Sequence, residues 1–554
     1  MVPFGDRALL ATTVDVASAH ALAESASEGR CGPGVPVPVE EVVVGFASVL
    51  VVLGSDVGTG GLEAAASWLD RLAAAVAPGR PDRGTEHVLP VRFDGADLDE
   101  VARMLGVPAA RVVDLLVGAE LEVAFVGFAP GFPYLTGLPP ELAALPRRST
   151  PRTAVPAGSV AVAGGFAAVY PRATPGGWHL LGRTTAPLFD PHRSPPSRVA
   201  PGDRVRFVVA RGDDPVPGAA SGDRAVLAAG DGPALEVVTT GLLDLVQDGG
   251  RVGVAQLGVP RAGAADPRAL HSVNLLLGND PGAAAVEVTV TGPSVRVVGD
   301  GHVAVVGPPG GGVEVQVDGR PVPDGAVVPV RDGQLVAVGR VTGGLRAYLG
   351  VAGGMATPEL LGSRSSDVLS GLGTGQLRVG DRLGRGIPGR VRGRLDRHGP
   401  APDRRGAGTS LRVVPGPHAL GPDSSGDDRF RRLVATAWRV GRELDRVGLR
   451  LRPDTGSGVD PGPPVTSTPM VTGAVQLPPD GHPIVLLPDH ATVGGYPVVA
   501  CVVSADLPLL GQLGPGEAVQ LCAVDRAAAA EALERTRAAT AAAVSGWFPT
   551  SAGT

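Results

Sequence analysis

The chain has 554 residues, enough for roughly three to four domains, and its 82 glycines and 54 prolines favour short strands and turns over long helices. A formal net charge of -6 with both signs intermixed gives no nucleic-acid footprint. All 49 basic residues are arginine. The missing lysine excludes a P-loop, a kinase-type strand lysine, Schiff-base catalysis, an S-x-x-K pair and biotin or lipoate carried on this chain. An anionic substrate therefore has to be held by arginine forks, backbone N–H groups or a metal.

In chain order, the start MVPFGDRALLAT has no basic stretch leading into an apolar one, so no leader peptide is expected. The most apolar run, Val42–Leu53, is too short to span a bilayer and is rich in β-branched residues, which predicts a buried strand and no membrane contact. Leu62, Ala65, Ala66, Leu69 and Leu72 share one face of a helix over Leu62–Val76. Residues 1–84 thus read as a small α+β domain. Two short helices, Asp97–Leu105 and Pro108–Val117, precede a strand at Val123–Phe128, within a β module spanning 85–210. A linker rich in Pro, Gly and Asp follows at 211–234, then a second β module at 235–386. An Arg/Gly/Pro-rich linker at 387–410 leads to a third module at 411–524, and an Ala-rich helical tail covers 525–554. The three cysteines, Cys31, Cys501 and Cys522, lie far apart without metal-ligand spacing, which predicts buried thiols in a reducing, cytoplasmic setting.

One signal recurs near the end of each module. APGDRVRF (Ala200–Phe207), RVGDRLGR (Arg378–Arg385) and GPGEAVQL (Gly514–Leu521) each place a Gly-Asp/Glu turn before a strand. Asp-Gly-His stands between apolar runs in both Gly292–Gly307 and Gly473–Leu487, which predicts a hairpin in each.

The aromatics gather in Phe125–Pro139 (FVGFAPGFPYLTGLP) and Thr174–Thr184 (TPGGWHLLGRT). Phe132, Tyr134 and Trp178 beside Gly176 and Gly177 suit a pocket rim where a planar ligand approaches backbone closely; a pair of turns plugging a barrel end fits equally well. In Leu145–Ser159, Arg147, Arg148 and Arg152 stand between prolines that keep the loop extended, a clamp for a carboxylate or phosphate or else a surface face. His179 is a candidate proton carrier, or a structural histidine, with no carboxylate nearby in sequence. Asp244, Gln247, Arg251, Asp266 and Asn274 flank a turn ahead of a helix over Pro267–Leu277, where they hold a polar ligand or cap the helix. GLGTG (Gly371–Gly375) has no βαβ context and reads as a turn.

At these motifs the chain resembles a fusion of the B and C subunits of the prokaryotic 5-oxoprolinase. Related proteins are the carboxyltransferase part of urea amidolyase and the Kip-type histidine-kinase inhibitor with its antagonist. GFAPGFPYLTGLP, PRTAVPAGSVAVAGG and YPRATPGGWHLLGRT carry the B likeness over about Met1–Ala210. GVPRAGAADPRALHSVNLLLGND, LGSRSSD, LDRVGLRL, GAVQLPPDGHPIVLLPD and GGYPVVACV carry the C likeness over about Leu235–Val524. The resemblance implies a mainly β fold with an α+β N-terminal part and tandem cyclophilin-like β-barrel modules. It also implies a separate partner, the A-type protein of 5-oxoprolinase, a small amide or lactam substrate, and ATP with Mg²⁺ as cosubstrate for opening 5-oxoproline to glutamate. The alternatives are a carboxyltransferase component of a biotin-dependent urea or amide carboxylase, and a non-catalytic kinase-inhibitor-like binding protein. Several positions depart from the family: Leu116 and Leu121 replace a usual His and Tyr, Val447 a Met, Thr468 a Glu, and Ala491 and Val493 a Gln and Thr. The implied site combines Phe132, Tyr134, Arg152, Gly176, Gly177, Trp178 and His179 with Arg251, Asp266, Asn274, Arg446, Gln476, Asp489 and Tyr496. Aromatics would form the wall, arginines would hold anions, and Asp266 or Asp489 would meet Mg²⁺ or a proton, with His179 a further catalytic candidate.

Overall fold

The computed structural model describes the chain except residues 30–34, 55–56, 59, 76–83, 211–232, 392–407, 420–428, 464 and 546–554. Cys31 and most of both expected linkers lie outside the described residues. Cys501 is buried and Cys522 partly exposed. Of the expected linkers, Pro233 already belongs to the strand Pro233–Thr239 and Gly408 to the strand Gly408–Pro415.

The first unit is a four-stranded antiparallel sheet in the order Val2–Pro3, Ala8–Thr12, Ser48–Leu53, Val39–Gly45, carrying helices Val16–Gly29 and Gly61–Ala75. The run expected to be one buried strand is a hairpin instead. Ala47 takes φ +48 and reverses the chain, so Val42 pairs with Val51 and Gly45 with Ser48. An unbroken apolar run hides such a reversal because two strands of a buried hairpin are as apolar as one.

The second unit is a seven-stranded sheet whose outer strands meet. Arg92 and Arg183 exchange backbone hydrogen bonds of 2.9 Å each, joining Glu86–Val91 to His179–Arg183 and rounding the sheet into a barrel. Helices Leu98–Leu105 and Ala109–Val117 cover it with Val101, Val112 and Leu116, and Gly106 ends the first of them at φ +68, a turn that favours glycine. Leu116 and Leu121 are fully packed in this core.

The third unit, expected as a barrel, is barrel-like: sheets of six and five strands, linked by bridges such as Thr291 to Arg340, surround a valine-rich core that includes Val237, Val286, Val295 and Val336. β-Branched residues suit such pleated inner faces. Helix Pro267–Leu276 lies on the five-stranded sheet, over Ala304 and Tyr348. The fourth unit is a closed seven-stranded barrel, sealed by the parallel pairing of Gly408–Pro415 with Ala518–Ala523. The helix Arg526–Ser545 follows.

The recurrent acidic turn is a single device used three times. Asp203 accepts from the Ala200 N–H at 2.9 Å, Asp381 from Arg378 at 2.7 Å and Glu517 from Gly514 at 3.2 Å, each just before a strand. Of the two Asp-Gly-His segments, only the second is a hairpin, with Ala474–Gln476 paired to Ile484–Leu486. In the first, Ser294–Val297 and Gly301–Val306 enter different sheets, because each pairs with strands distant in sequence, Ser294–Val297 with Pro233–Thr239 and Gly301–Val306 with Arg346–Val351, and not across the turn.

The two halves of the chain are interlocked. Arg261 pairs with Glu40 at 2.6 Å, the N–H groups of Gly253 and Ala255 donate to Glu41, and the Gly131 N–H donates to the Leu257 carbonyl at 2.9 Å. No helix among the described residues is long and apolar enough to cross a membrane.

Candidate active site

The glycine-aromatic motif forms a constrained loop. Phe128 takes φ +66, and the Ala129 N–H bonds back to the Gly127 carbonyl at 2.7 Å, a three-residue turn that a bulky residue rarely adopts. The rings behind it pack as a set. Phe125 stacks on Tyr134 at 4.2 Å between centroids, and Phe132 meets Tyr134, Tyr170 and Trp178 at 5.0–5.8 Å. Phe132 and Tyr134 are 1 % and 5 % exposed, so these rings are a buried wall, and Val493 from the fourth unit joins the same cluster.

Arginines stand over that wall. Arg152 Nη2 and Arg148 Nη1 both donate to Asp97 Oδ1, at 2.7 and 2.8 Å, while Asp97 Oδ2 accepts from the Leu180 N–H at 2.7 Å. Burial alone would raise the Asp97 carboxyl, but the Arg152 and Leu180 bonds with the arginine charges outweigh it and hold the pKa below 3.8. Gly176 pairs with Arg152 across a two-stranded ladder, and a side chain there would strike the Tyr170 hydroxyl. The Arg148 N–H donates to the Gly177 carbonyl. Burial pushes the Tyr134 phenol up to about 12, with Arg147 opposing, so it is a hydrogen-bond donor at neutral pH. Arg147 also lies beside Gly495, on the loop that carries the 42 % exposed Tyr496. His179 is buried with Nε2 3.0 Å from the Pro146 carbonyl, a structural placement away from any carboxylate bond.

A second cluster lies in the C-like half. Gln247, Arg251 and Asp367 are fully buried, yet Gln247 Oε1, Arg251 Nη1 and Asp367 Oδ2 have no protein partner. Each such group costs about 1–3 kcal/mol unless water or a ligand satisfies it. Their other atoms are fixed: Gln247 donates to the Ser366 carbonyl, Arg251 to the Leu360 and Ser365 carbonyls, and Asp367 accepts from Leu369 and Ser370. Arg172 of the B-like half, two residues after Tyr170, lies where a side chain on Gly371 would stand, and feels the charge of Asp367. The tertiary fold therefore carries the B-like strand region onto the LGSRSSD loop of the other half.

The remaining candidates are structural. Asp266 is fully buried and caps helix Pro267–Leu276 through the Arg268 and Ala269 N–H groups, while Gln512 fills its other oxygen. Both oxygens of Asp489 accept from Arg446 at 2.8 Å, and the same guanidinium reaches Glu287 at 2.5 Å. Asn274 holds the Pro281–Ala283 loop, and Gln476 contacts the Met470 sulfur. These groups do not fit a Mg²⁺ ion: Asp266 and Asp489 have no oxygen to spare, and no cluster of three metal-binding side chains exists among the described residues.

Comparisons place this architecture. Residues 1–199 match a carboxyltransferase domain, subdomains C and D, and residues 257–523 match subdomains A and B. The C subunit of 5-oxoprolinase from Escherichia coli (strain K12) is 34 % identical over 303 residues, covering 53 % of this chain and 93 % of that protein. The chain belongs to the carboxyltransferase-domain family. Its first half is similar to the 5-oxoprolinase B subunit of Bacillus subtilis (strain 168), at 47 % identity over 114 residues, 21 % of this chain and 47 % of that protein. The crystal structure of TTHA0988 aligns with a TM-score of 0.80 at 35 % identity, covering 93 % of this chain and 99 % of that one. Urea amidolyase of Saccharomyces cerevisiae is 29 % identical over 307 residues, 52 % of this chain but only 16 % of that protein. The matches thus span about half of the B-type relative and under a fifth of urea amidolyase.

Within this carboxyltransferase-domain chain, sequence reading did not single out Asp97, Tyr170, Arg172 and Asp367, which the structure places in these clusters. Asp97 and Arg152 are 55 positions apart, and no spacing rule links them. Asp367, inside LGSRSSD, carried a signal in its motif alone.

Proposed function

We propose that this chain is the lactam-binding component of an ATP-dependent 5-oxoprolinase and acts with a separate A-type partner protein. The observation that carries the reading is the contact of Arg172, two residues after Tyr170 of the aromatic wall, with Gly371 of the other half, where it feels the charge of Asp367; an Asp97-oriented Arg152 and the buried Gln247, Arg251 and Asp367 atoms without a protein partner support it. The ring of a small lactam would lie against the aromatic wall. Its carboxylate would sit on Arg147 and Arg152, with no ordering cost for Arg152 because Asp97 already fixes it. The Tyr134 hydroxyl is the donor for the lactam oxygen.

A lactam is a poor electrophile, and ATP supplies the phosphoryl group that turns its oxygen into a leaving group. ADP leaves, one water adds to the ring carbon and the C–N bond breaks to give γ-glutamyl phosphate, and a second water displaces its phosphate to give glutamate. The nucleotide and its Mg²⁺ are assigned to the partner, since Asp266 and Asp489 do not fit the ion. This chain's residues bind and orient the lactam and keep bulk water off it.

The test is phosphate release from ATP by the chain plus an A-type partner protein, with and without 5-oxoproline. Release requiring both proteins and 5-oxoproline, and lost in Arg152→Ala and Trp178→Ala, supports the reading. Release indifferent to 5-oxoproline, or untouched in both variants, overturns it.

A further inference from the structure

A separate cavity of about 860 Å³ lies where the N-terminal sheet, helix Pro267–Leu276, the closed barrel and helix Arg526–Ser545 meet. Gln247, Arg251, Asp367 and the aromatic wall are not part of its lining. Its walls are largely apolar, with Phe4, Val43, Leu270, Met470 and Leu533 among them. The volume is that of a pocket for a small organic molecule.

The charges around it are unevenly spent. Glu40 is taken by Arg7 and Arg261, Glu41 by the Gly253 and Ala255 N–H groups, Asp6 by Ser504, and Asp248 by Ser363 and Ser365. Two cations on the same lining make no hydrogen bond to a carboxylate among the described residues. Arg268 has buried Nε and Nη2 atoms that donate to nothing, with Asp266 no nearer than 3.6 Å, and no carboxylate among the described residues pairs with Arg537. They stand on helices that touch each other. Thr492, also on the lining, has a buried hydroxyl without a partner.

We propose that this cavity is a second ligand site that takes an amphipathic monocarboxylate, its apolar body in the cavity and its carboxylate on Arg268 and Arg537. Arg7, Arg261, Arg268 and Arg537 on the lining face Asp6, Glu40, Glu41 and Asp248, four charges of each sign, so the lining has no cationic excess for a phosphate dianion and favours a ligand with one negative charge. The site is independent of lactam binding.

The experiment is calorimetric titration of the full chain with decanoate and with decanol, an uncharged molecule of the same length. Saturable one-to-one decanoate binding, at least tenfold tighter than decanol, is expected. Arg268→Gln or Arg537→Gln should weaken decanoate at least tenfold and leave decanol unchanged, and Leu533→Trp should abolish both. The proposal is overturned by no decanoate binding at millimolar concentration, by equal affinity for decanol, or by unchanged affinity in both arginine variants. The arginines lie on different helices, so if one variant fails to fold, judged by its unliganded melting midpoint, the other decides. 5-Oxoproline binding should be the same in Arg268→Gln as in the parent chain, which separates this site from the lactam reading.

Discussion

Asp97 Oδ1 accepts from Arg152 Nη2 at 2.7 Å, and its second oxygen accepts the Leu180 N–H. One carboxylate therefore fixes the arginine loop and the strand after Trp178 together. Asp97→Asn removes a charge-assisted bond and turns an amide N–H toward a donor, so it should cost about 1–3 kcal/mol. Lactam affinity should fall with it. Because the folded pKa lies below 3.8, the stabilisation is present above that pH and is lost as pH falls through the folded value. Melting midpoints of the parent and Asp97→Asn should converge in strong acid, and parallel curves would contradict this assignment.

Asp244 has the opposite sign. Burial pushes its carboxyl up to about 6, against the 2.6 Å bond from the Gly241 N–H, and its other oxygen has no partner. Its contribution is full below the unfolded pKa of 3.8 and is lost as pH rises through about 6. Asp489 acts in the same direction, pushed up to about 7 by burial and by the charges of Asp367 and Glu287, against its two bonds from Arg446. Asp244→Asn should flatten the fall in melting midpoint between pH 4 and 7 and be at least as stable as the parent at pH 8. An unchanged slope would refute this.

Arg446→Met would strand Asp489 in the interface between the two C-like units and leave Glu287 with Arg346 as its cation. A cost of about 3–5 kcal/mol is expected in denaturant titration. Adding Asp489→Leu should recover part of it, since replacing both partners removes the buried unpaired charge.

Gly258 takes φ +74, and a side chain there would press on the Ala129 carbonyl. Gly258→Ala should cost about 1–3 kcal/mol and weaken lactam affinity by shifting the Phe128 turn. Gly249→Ala, with open space and no positive φ, is the control and should be nearly neutral.

Arg172 is exposed and makes no hydrogen bond to a carboxylate among the described residues, so Arg172→Ala should leave the melting midpoint within about 0.5 kcal/mol of parental stability. KM for the lactam should rise severalfold if Arg172 completes the site. A fall in kcat alone would place it elsewhere in the reaction.

Much was legible in the sequence alone. Helical periodicity located Gly61–Ala75 and Pro267–Leu276 to within a residue, and alternating strands with acidic turns marked the three β units. Absent lysine excluded whole classes of chemistry. The local patterns could not show that Val42–Leu53 doubles back or that two Asp-Gly-His segments have different fates, because both depend on which strand supplies the partner.

Site roles were less legible for the same reason. Asp266 and Asp489 have the chemistry of catalytic acids, and only their committed partners, Gln512 and Arg446, show that they hold the interface. Asp97 and Arg172 looked ordinary until folding carried them to Arg152 and Gly371. Periodicity and turn residues act over a few positions and are written in the sequence, so the sequence determined the helices, the acidic turns and the family. Charge pairing and burial act through space across more than a hundred positions, so only the tertiary structure decided which polar groups are spent on packing and which remain for a ligand.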